Sequence, residues 1–310
     1  MGSGPRIAVV VPCHDEERTV GEVVRSFREH LPGASIYVID NASTDSTARV
    51  AAEHGAQVIG EPRPGKGNAV RRAFADIEAD VYVMVDGDAT YDPAAATQMV
   101  ELLLSQRLDY VNGRRDYDDP SGQRRGHVLG NRVLSRAVSS IFRDEAGDML
   151  SGYKALSRRF VKSFPVTSTG FEIETELGVH ALQLQVPASE VAARYVDRPE
   201  DSESKLRTLR DGRRILLTIL RLAVRERPLA VFGTAAFALV AASLLLGTPV
   251  VLEFQETGLV ERFPTAILAT GLVILGLLSV ATGLILDALQ HSRHEGKRLA
   301  YLAVPGPSTD

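Results

Sequence analysis

The sequence predicts an α/β domain with a mostly parallel, Rossmann-like sheet, followed by a basic interfacial helix and two transmembrane helices. Three observations carry that expectation. Short apolar runs of strand-forming residues alternate with amphipathic helical segments between Arg6 and Val85, the pattern of repeated βαβ units. Several of these runs end in acidic or glycine-containing turns, where an open α/β sheet places its ligands. Finally, residues 228–252 and 264–286 hold no charge at all, and each stretch exceeds the roughly 20 apolar residues that span a bilayer core.

Composition narrows the classes. The chain has 310 residues, a formal charge of -4 and one cysteine, Cys13. That length allows one large domain or two smaller ones. A lone cysteine excludes a disulfide framework and a thiolate metal cluster. The near-neutral balance leaves no footprint for nucleic acid. Met1-Gly2-Ser3-Gly4-Pro5 lacks the basic and apolar regions of a signal sequence, which predicts a cytoplasmic N-terminal domain.

Ile7 to Val11 is a first buried strand, with Pro12-Cys13-His14-Asp15-Glu16-Glu17 at its end. A dinucleotide site needs Gly-x-Gly-x-x-Gly there, and its absence argues against an NAD enzyme. Thr19 to His30 has helical spacing at Val20, Val23, Val24 and Phe27. Ser35 to Ile39 is a second strand, ending in Asp40 and the cap-rich Asn41 to Thr47 before a helix through Ala52. Asp40 at that terminus suits a base or ribose, or a capping role. Gln57 to Ile59 is a third strand. Pro64-Gly65-Lys66-Gly67-Asn68 then opens a helix. A glycine-flanked lysine at a helix N-terminus suits an anion, although the Walker spacing is missing.

Val81 to Val85 is the fourth strand, β-branched and not alternating. It drives into Asp86-Gly87-Asp88. Two hard oxygen ligands one residue apart suit a Mg²⁺ or Mn²⁺ that also binds substrate phosphates. A strand-to-helix turn capped by Asp92-Pro93 is the other use of such residues.

Ala94 to Leu104 is a helix and Asp109 to Arg115 a strand end; 116–126 is a polar loop with Arg124 and Arg125. His127 to Phe142 is helical and carries Arg132 and Ser135. Asp148 to Ser157 returns to the sheet. Thr169 to Leu177 opens a helix with Glu172, Glu174 and Glu176 in its favourable first turns, and Val186 to Val196 is the last strand region.

The expected boundaries are 1–204 for the α/β domain, 205–227 for a basic amphipathic helix, 228–252 and 264–287 for the spans, and 288–310 for a tail. Leucines and isoleucines interleaved with arginines over 205–227 suit an anionic membrane surface. Arg221, Arg225 and Arg227 precede the first span, and Arg293, Lys297 and Arg298 follow the second. The connecting loop holds Glu253, Glu256, Glu261 and Arg262. The positive-inside rule therefore puts the loop outside and both termini in the cytoplasm, at a plasma (inner) membrane.

Five motifs occur in order: Val9-Val10-Val11-Pro12, Asp40-Asn41-Ala42-Ser43-Thr44-Asp45-Ser46-Thr47, Gly65-Lys66-Gly67, Asp86-Gly87-Asp88 and Ser151-Gly152-Tyr153-Lys154. Together they resemble family-2 glycosyltransferases of the GT-A fold. With its two spans the chain looks like the polyprenyl-phosphate glycosyltransferases, which include dolichol-phosphate-mannose and dolichol-phosphate-glucose synthases. The resemblance covers residues 6 to 230 by motif and the rest by topology.

It implies inverting transfer of a hexose from a UDP- or GDP-sugar to a polyprenyl phosphate, with Mg²⁺ or Mn²⁺. By analogy Pro12, Glu16 and Asp40 line the nucleoside pocket, and Lys66, Asp86 and Lys205 hold the donor. Asp86 and Asp88 are the metal pair. Arg114, Arg132 and Ser135 hold the acceptor phosphate, with Asp86, Asp88 and Arg132 as catalytic groups. Lys154 stands where many relatives carry arginine. A homo-oligomer is compatible with the sequence.

The acceptor chemistry follows independently. A phosphate monoester, with a second pKa of about 6, is already a nucleophile at neutral pH. It needs positioning by arginines more than a base. A hydroxyl acceptor, the alternative, requires a carboxylate base such as Glu172 or Glu174. The chain has no tryptophan, which excludes the Gln-x-x-Arg-Trp motif of processive synthases. A membrane-anchored scaffold without turnover is the third reading, and the intact Asp40, Lys66, Asp86 and Asp88 argue against it.

Overall fold

The computed structural model describes residues 4–117, 147–196 and 222–307. Its centre is a seven-stranded sheet in the order β3-β2-β1-β4-β6-β5-β7. Strands β1 (Ile7–Cys13), β2 (Ser35–Asp40), β3 (Gln57–Gly60) and β4 (Val81–Met84) form the parallel half. β6 (Lys154–Ser157) runs antiparallel between β4 and β5 (Tyr110–Tyr117), and β7 (Ala188–Tyr195) pairs parallel to β5 at the edge.

Alternating strand residues serve two cores. Val9 and Val11 pack with α1 (Val20–His30), α2 (Thr47–Glu53) and α4 (Ala94–Ser105) on one face. Ala8 and Val10 pack with α3 (Lys66–Asp76), α5 (Arg158–Ser163) and α6 (Ile173–Leu184) on the other. Covering both faces explains why the parallel strands are continuous apolar runs.

Two strands differ from expectation. β1 continues through Pro12, which a central strand ordinarily rejects. The Val10 carbonyl accepts from Val85 on the β4 side, so alternation turns Pro12 to that same side. β4 ends opposite Val10, and no ladder bond is lost. The return strand expected from Asp148 starts only at Lys154. Residues 151–152 instead turn, with Ser151 Oγ donating to the Gly113 carbonyl at 2.5 Å and the Gly152 N–H donating to Tyr91 Oη at 2.9 Å.

The apolar helices are longer than the uncharged stretches. α7 (Pro228–Thr257) has 30 residues and α8 (Phe263–Leu302) has 40. α8 runs on through most of the expected tail, because no proline follows Pro264 until Pro305 and good helix formers fill the interval. The described residues 222–295 belong to a compact unit of their own. Inside it Ser243 Oγ donates to the Ala269 carbonyl at 2.7 Å, and Gly276 faces Ala236 and Val240. Small residues and hydroxyls of this kind let membrane helices approach closely. Phe237, Leu245, Leu277 and Ile285 are exposed on the outside of the pair. β5 takes the first two residues of the expected 116–126 loop; the rest of that loop, the 127–142 helix and most of the 205–227 helix lie outside the described residues.

Candidate active site

The carboxyl ends of β1, β2 and β4 converge on the Asp86-Gly87-Asp88 turn. Cys13 at the end of β1 is buried against it, and a Cβ on Gly87 would lie 2.5 Å from Cys13 Sγ. Only glycine permits that approach. Burial pushes the Cys13 thiol well up, and the charges of Glu16, Asp86, Asp40 and Asp88 push it further. The charges of four acids from three strand ends are thus felt at one thiol. Thr19 Oγ1, at the start of α1, donates to the Gly87 carbonyl at 2.6 Å and pins the turn. Asp88 is buried, and Thr90 Oγ1 donates to its Oδ1 at 2.6 Å.

Asp86 points toward a second element. A Cβ on Gly152 would collide with Asp86 Oδ2, so the turn at 151–152 leaves that oxygen room. Tyr91 holds Gly152 there and is itself fixed by a bridge to Tyr195. Asp86 Oδ1 accepts from Lys66 Nζ, and the same ammonium donates to Glu174 Oε1 at 2.5 Å. Burial would lower the Lys66 ammonium, yet Asp86 and Glu174 together raise it above its ordinary value. Burial raises the Glu174 carboxyl; the charge of Lys66 opposes this and that of Asp86 adds to it.

Lys66 and Glu174 meet because two glycines let backbones touch. Gly65 has φ of 127°, and a Cβ on Gly65 or Gly67 would collide with the carbonyl of Thr169 or Ser168. The Gly67 N–H donates to the Thr169 carbonyl at 3.1 Å. Asn41 supports the approach from the other side, its Oδ1 accepting from Gly65 at 2.6 Å and its Nδ2 donating to the Arg63 carbonyl at 2.7 Å.

A further buried cation lies next to this group. Lys154 is fully buried, donates to Asn112 Oδ1 at 2.8 Å and sits 5.3 Å from the centre of the Tyr110 ring. Asn112 passes the contact on to Glu190 Oε1 at 2.9 Å. Arg115 clasps Asp148 through two bonds of 2.7 Å. Burial would raise the Asp148 carboxyl, but Arg115 and the charge of Lys154 hold it below its ordinary value.

The chain as a whole has known relatives. Residues 8–164 match the family described as glycosyl transferase family 2. Over 305 residues the chain is 33% identical to glycosyltransferase AglJ of Haloferax volcanii, covering 97% of this chain and 100% of that protein. The chain belongs to glycosyl transferase family 2. It is also 28% identical over 214 residues to the low-salt glycan biosynthesis hexosyltransferase Agl6 of the same organism, covering 67% of this chain and 51% of that protein. Glucosyl-3-phosphoglycerate synthase of Mycobacterium tuberculosis superposes with a TM-score of 0.56 at 26% identity, covering 70% of this chain and 80% of that one. A complex of that enzyme with Mn²⁺, uridine diphosphate and phosphoglyceric acid gives a TM-score of 0.55 at 25% identity, over 70% and 78% of the two chains.

The family-2 glycosyltransferase assembled here has the GT-A type of sheet. Of the residues singled out in the sequence, Glu16, Asp40, Asp86 and Asp88 all act electrostatically on Cys13, and Lys66 is joined to Asp86. Pro12 precedes Cys13 on β1. Arg114 is exposed on β5 and has no ion-pair partner among the described residues. Arg132, Ser135 and Lys205 lie outside the described residues. The sequence presents Glu174 as a helix-dipole partner or a base, gives Asn41 and Tyr91 no role of their own, and does not reveal the Lys66–Glu174 pair. The glycines flanking Lys66 were the available signal, since they mark a close backbone approach without naming its partner.

Proposed function

We propose that this glycosyltransferase moves a hexosyl group from a UDP- or GDP-sugar to a polyprenyl phosphate, with inversion, at the cytoplasmic face of the plasma membrane. The observation that carries the reading is the pair of helices of 30 and 40 residues with exposed apolar surfaces in the same chain as the transferase fold. A water-soluble acceptor leaves them without a purpose. On this reading 1–204 is the cytoplasmic catalytic domain, 205–227 lies on the membrane surface, 228–252 and 264–287 are the membrane-crossing cores of α7 and α8, and both termini are cytoplasmic.

Pro12, Glu16 and Asp40 line the nucleoside pocket in this reading, and Lys66 and Lys205 hold the diphosphate. Asp86 and Asp88 fit a Mg²⁺ or Mn²⁺. They offer hard oxygens on one turn, and Asp86 Oδ2 faces a glycine. Among the described residues no three metal-ligating side chains converge, which leaves coordination sites for donor phosphates. When bound, such an ion offsets the charge that develops on the leaving nucleoside diphosphate. Arg114, Arg132 and Ser135 position the acceptor phosphate, whose oxygen attacks the anomeric carbon in line without a protein base.

The test uses full-length protein in detergent with undecaprenyl phosphate, labelled UDP- and GDP-sugars, and EDTA as the metal control. Label entering the organic phase with one donor, and only with metal, is the expected result. Metal-dependent donor hydrolysis without a lipid product favours a hydroxyl acceptor instead. The raised carboxyl of Glu174 is the observation on that side, because a base needs such a shift.

A further inference from the structure

Lys66 is held by two carboxylates, Asp86 and Glu174, which lie on different elements. Its side chain is 7% exposed, so two carboxylates share one ammonium out of water, and the buried Lys154 also acts on Glu174. Asp88, also buried, adds a further carboxylate at the same turn. Lys66 already occupies Asp86 Oδ1, so Lys66 and a cation on the Asp86/Asp88 turn would draw on the same carboxylate, and a carboxylate out of water is costly to leave without a cation.

We propose that Lys66 is a movable counterion that competes with the divalent cation for Asp86, and that Glu174 is the carboxylate that keeps it when the cation wins. The inference rests on Asp86 and Asp88 being the metal pair. Its geometry is on hand. Lys66 Nζ already donates to Glu174, so leaving Asp86 breaks one contact and keeps the other. The close glycine contacts with Ser168 and Thr169 fix the backbones of both partners, so the exchange needs only side-chain rotation. The released donors of the ammonium then remain beside the turn for the phosphate oxygens of the sugar donor. Glu174 is on this account a positioning residue for Lys66 and not a base.

Mn²⁺ binding to the full-length protein in detergent, followed by electron paramagnetic resonance without any nucleotide, tests this directly. Lys66→Met should bind Mn²⁺ about tenfold more tightly than the natural chain, the effect of losing a competitor worth one decade. Glu174→Gln should bind it several-fold more weakly, because Lys66 is then left to Asp86 alone. The double substitution separates competition from a general loss of negative charge. Competition predicts that Glu174→Gln costs little affinity once Lys66 is gone, whereas a field effect costs the same in both backgrounds and overturns the proposal. Unchanged or weaker Mn²⁺ binding by Lys66→Met overturns it as well. Lys66→Met should also gain more thermal stability from Mn²⁺ than the natural chain does, a readout that serves even if the variant folds poorly without metal. Asp88→Asn is the control for the underlying reading. If it leaves Mn²⁺ affinity unchanged, the metal assignment fails; if it weakens binding while Lys66→Met does not tighten it, only the competition fails.

Discussion

Two buried charge clusters sit at opposite ends of the same sheet, and they are built to different rules. At the carboxyl ends of β1 and β4, Lys66 faces Asp86 and Glu174, with Asp88 beside them. At the other end Asp109, just before β5, is fully buried and meets Arg159 through two bonds of 2.6 Å. Ser157 Oγ and Tyr301 Oη each add another at 2.6 Å. The far cluster is neutral and its two oxygens receive four donors. The near one sets two carboxylates on one ammonium, and Asp86 Oδ2 has no hydrogen-bond partner among the described residues. A buried ion pair that is saturated belongs to the fold, because breaking it strands a charge. One with a carboxylate oxygen left open has room for a ligand.

The largest expected effect breaks the comparison at the near end. Asp88→Ala should cut glycosyl transfer by about a thousand-fold or more, since it removes a carboxylate from the proposed metal pair. Thermal unfolding should stay close to that of the natural chain. Near-natural transfer by this variant removes Asp88 from the chemistry. Asp109→Ala should do the reverse, costing about 3–5 kcal/mol of stability because Arg159 loses its buried partner. Denaturant unfolding measures it, and a loss under 1 kcal/mol, on the order of a surface pair, would mean that the far cluster is not structural.

The contrast was only half legible in the sequence. Asp86-Gly87-Asp88 is local, and a strand running into two carboxylates announces its chemistry without any tertiary information. The partners are not local. Glu174 lies 108 residues from Lys66, and Tyr301 lies 192 residues from Asp109. No periodicity links such pairs. Parallel strands β1 to β4 were legible because burial on both faces makes them uniformly apolar. The antiparallel β6 was legible as a strand but not in direction, since Lys154 to Ser157 carries no hairpin signal. The helix ends are illegible for a different reason: apolar character stops well before the backbone of α8, which keeps its helical bonds into polar residues as far as Leu302.

Asp148 sharpens the comparison because it sits near the active end yet is saturated like Asp109. Arg115 holds it through paired bonds and keeps its carboxyl below the ordinary 3.8. A carboxyl lowered in the folded state contributes stability above its unfolded pKa and loses it as pH falls through the folded value. Asp148→Asn should therefore lower the unfolding midpoint at neutral pH by an amount worth about 1–2 kcal/mol. The gap to the natural chain should close as pH drops below about 4. A gap that stays constant from pH 7 to pH 3 would assign the loss to packing.

The smallest effect probes how the far cluster is closed. Tyr301 comes from the last turn of α8, and the described residues 296–307 group with the sheet-bearing unit. Its hydroxyl donates to Asp109, while its ring lies 4.6 Å from the Arg159 guanidinium carbon. Tyr301→Phe keeps the ring and removes one of four donors, so it should cost about 1 kcal/mol in denaturant unfolding. Tyr301→Ala removes both contacts and should cost more, with the stacking of a cation on an aromatic face adding about 0.5–2 kcal/mol. Transfer activity per folded molecule should be unchanged in both, because the cluster lies across the sheet from Asp86. A loss of transfer without a loss of stability would show that the two ends of the sheet are coupled, and the division between a structural and a chemical cluster would no longer hold.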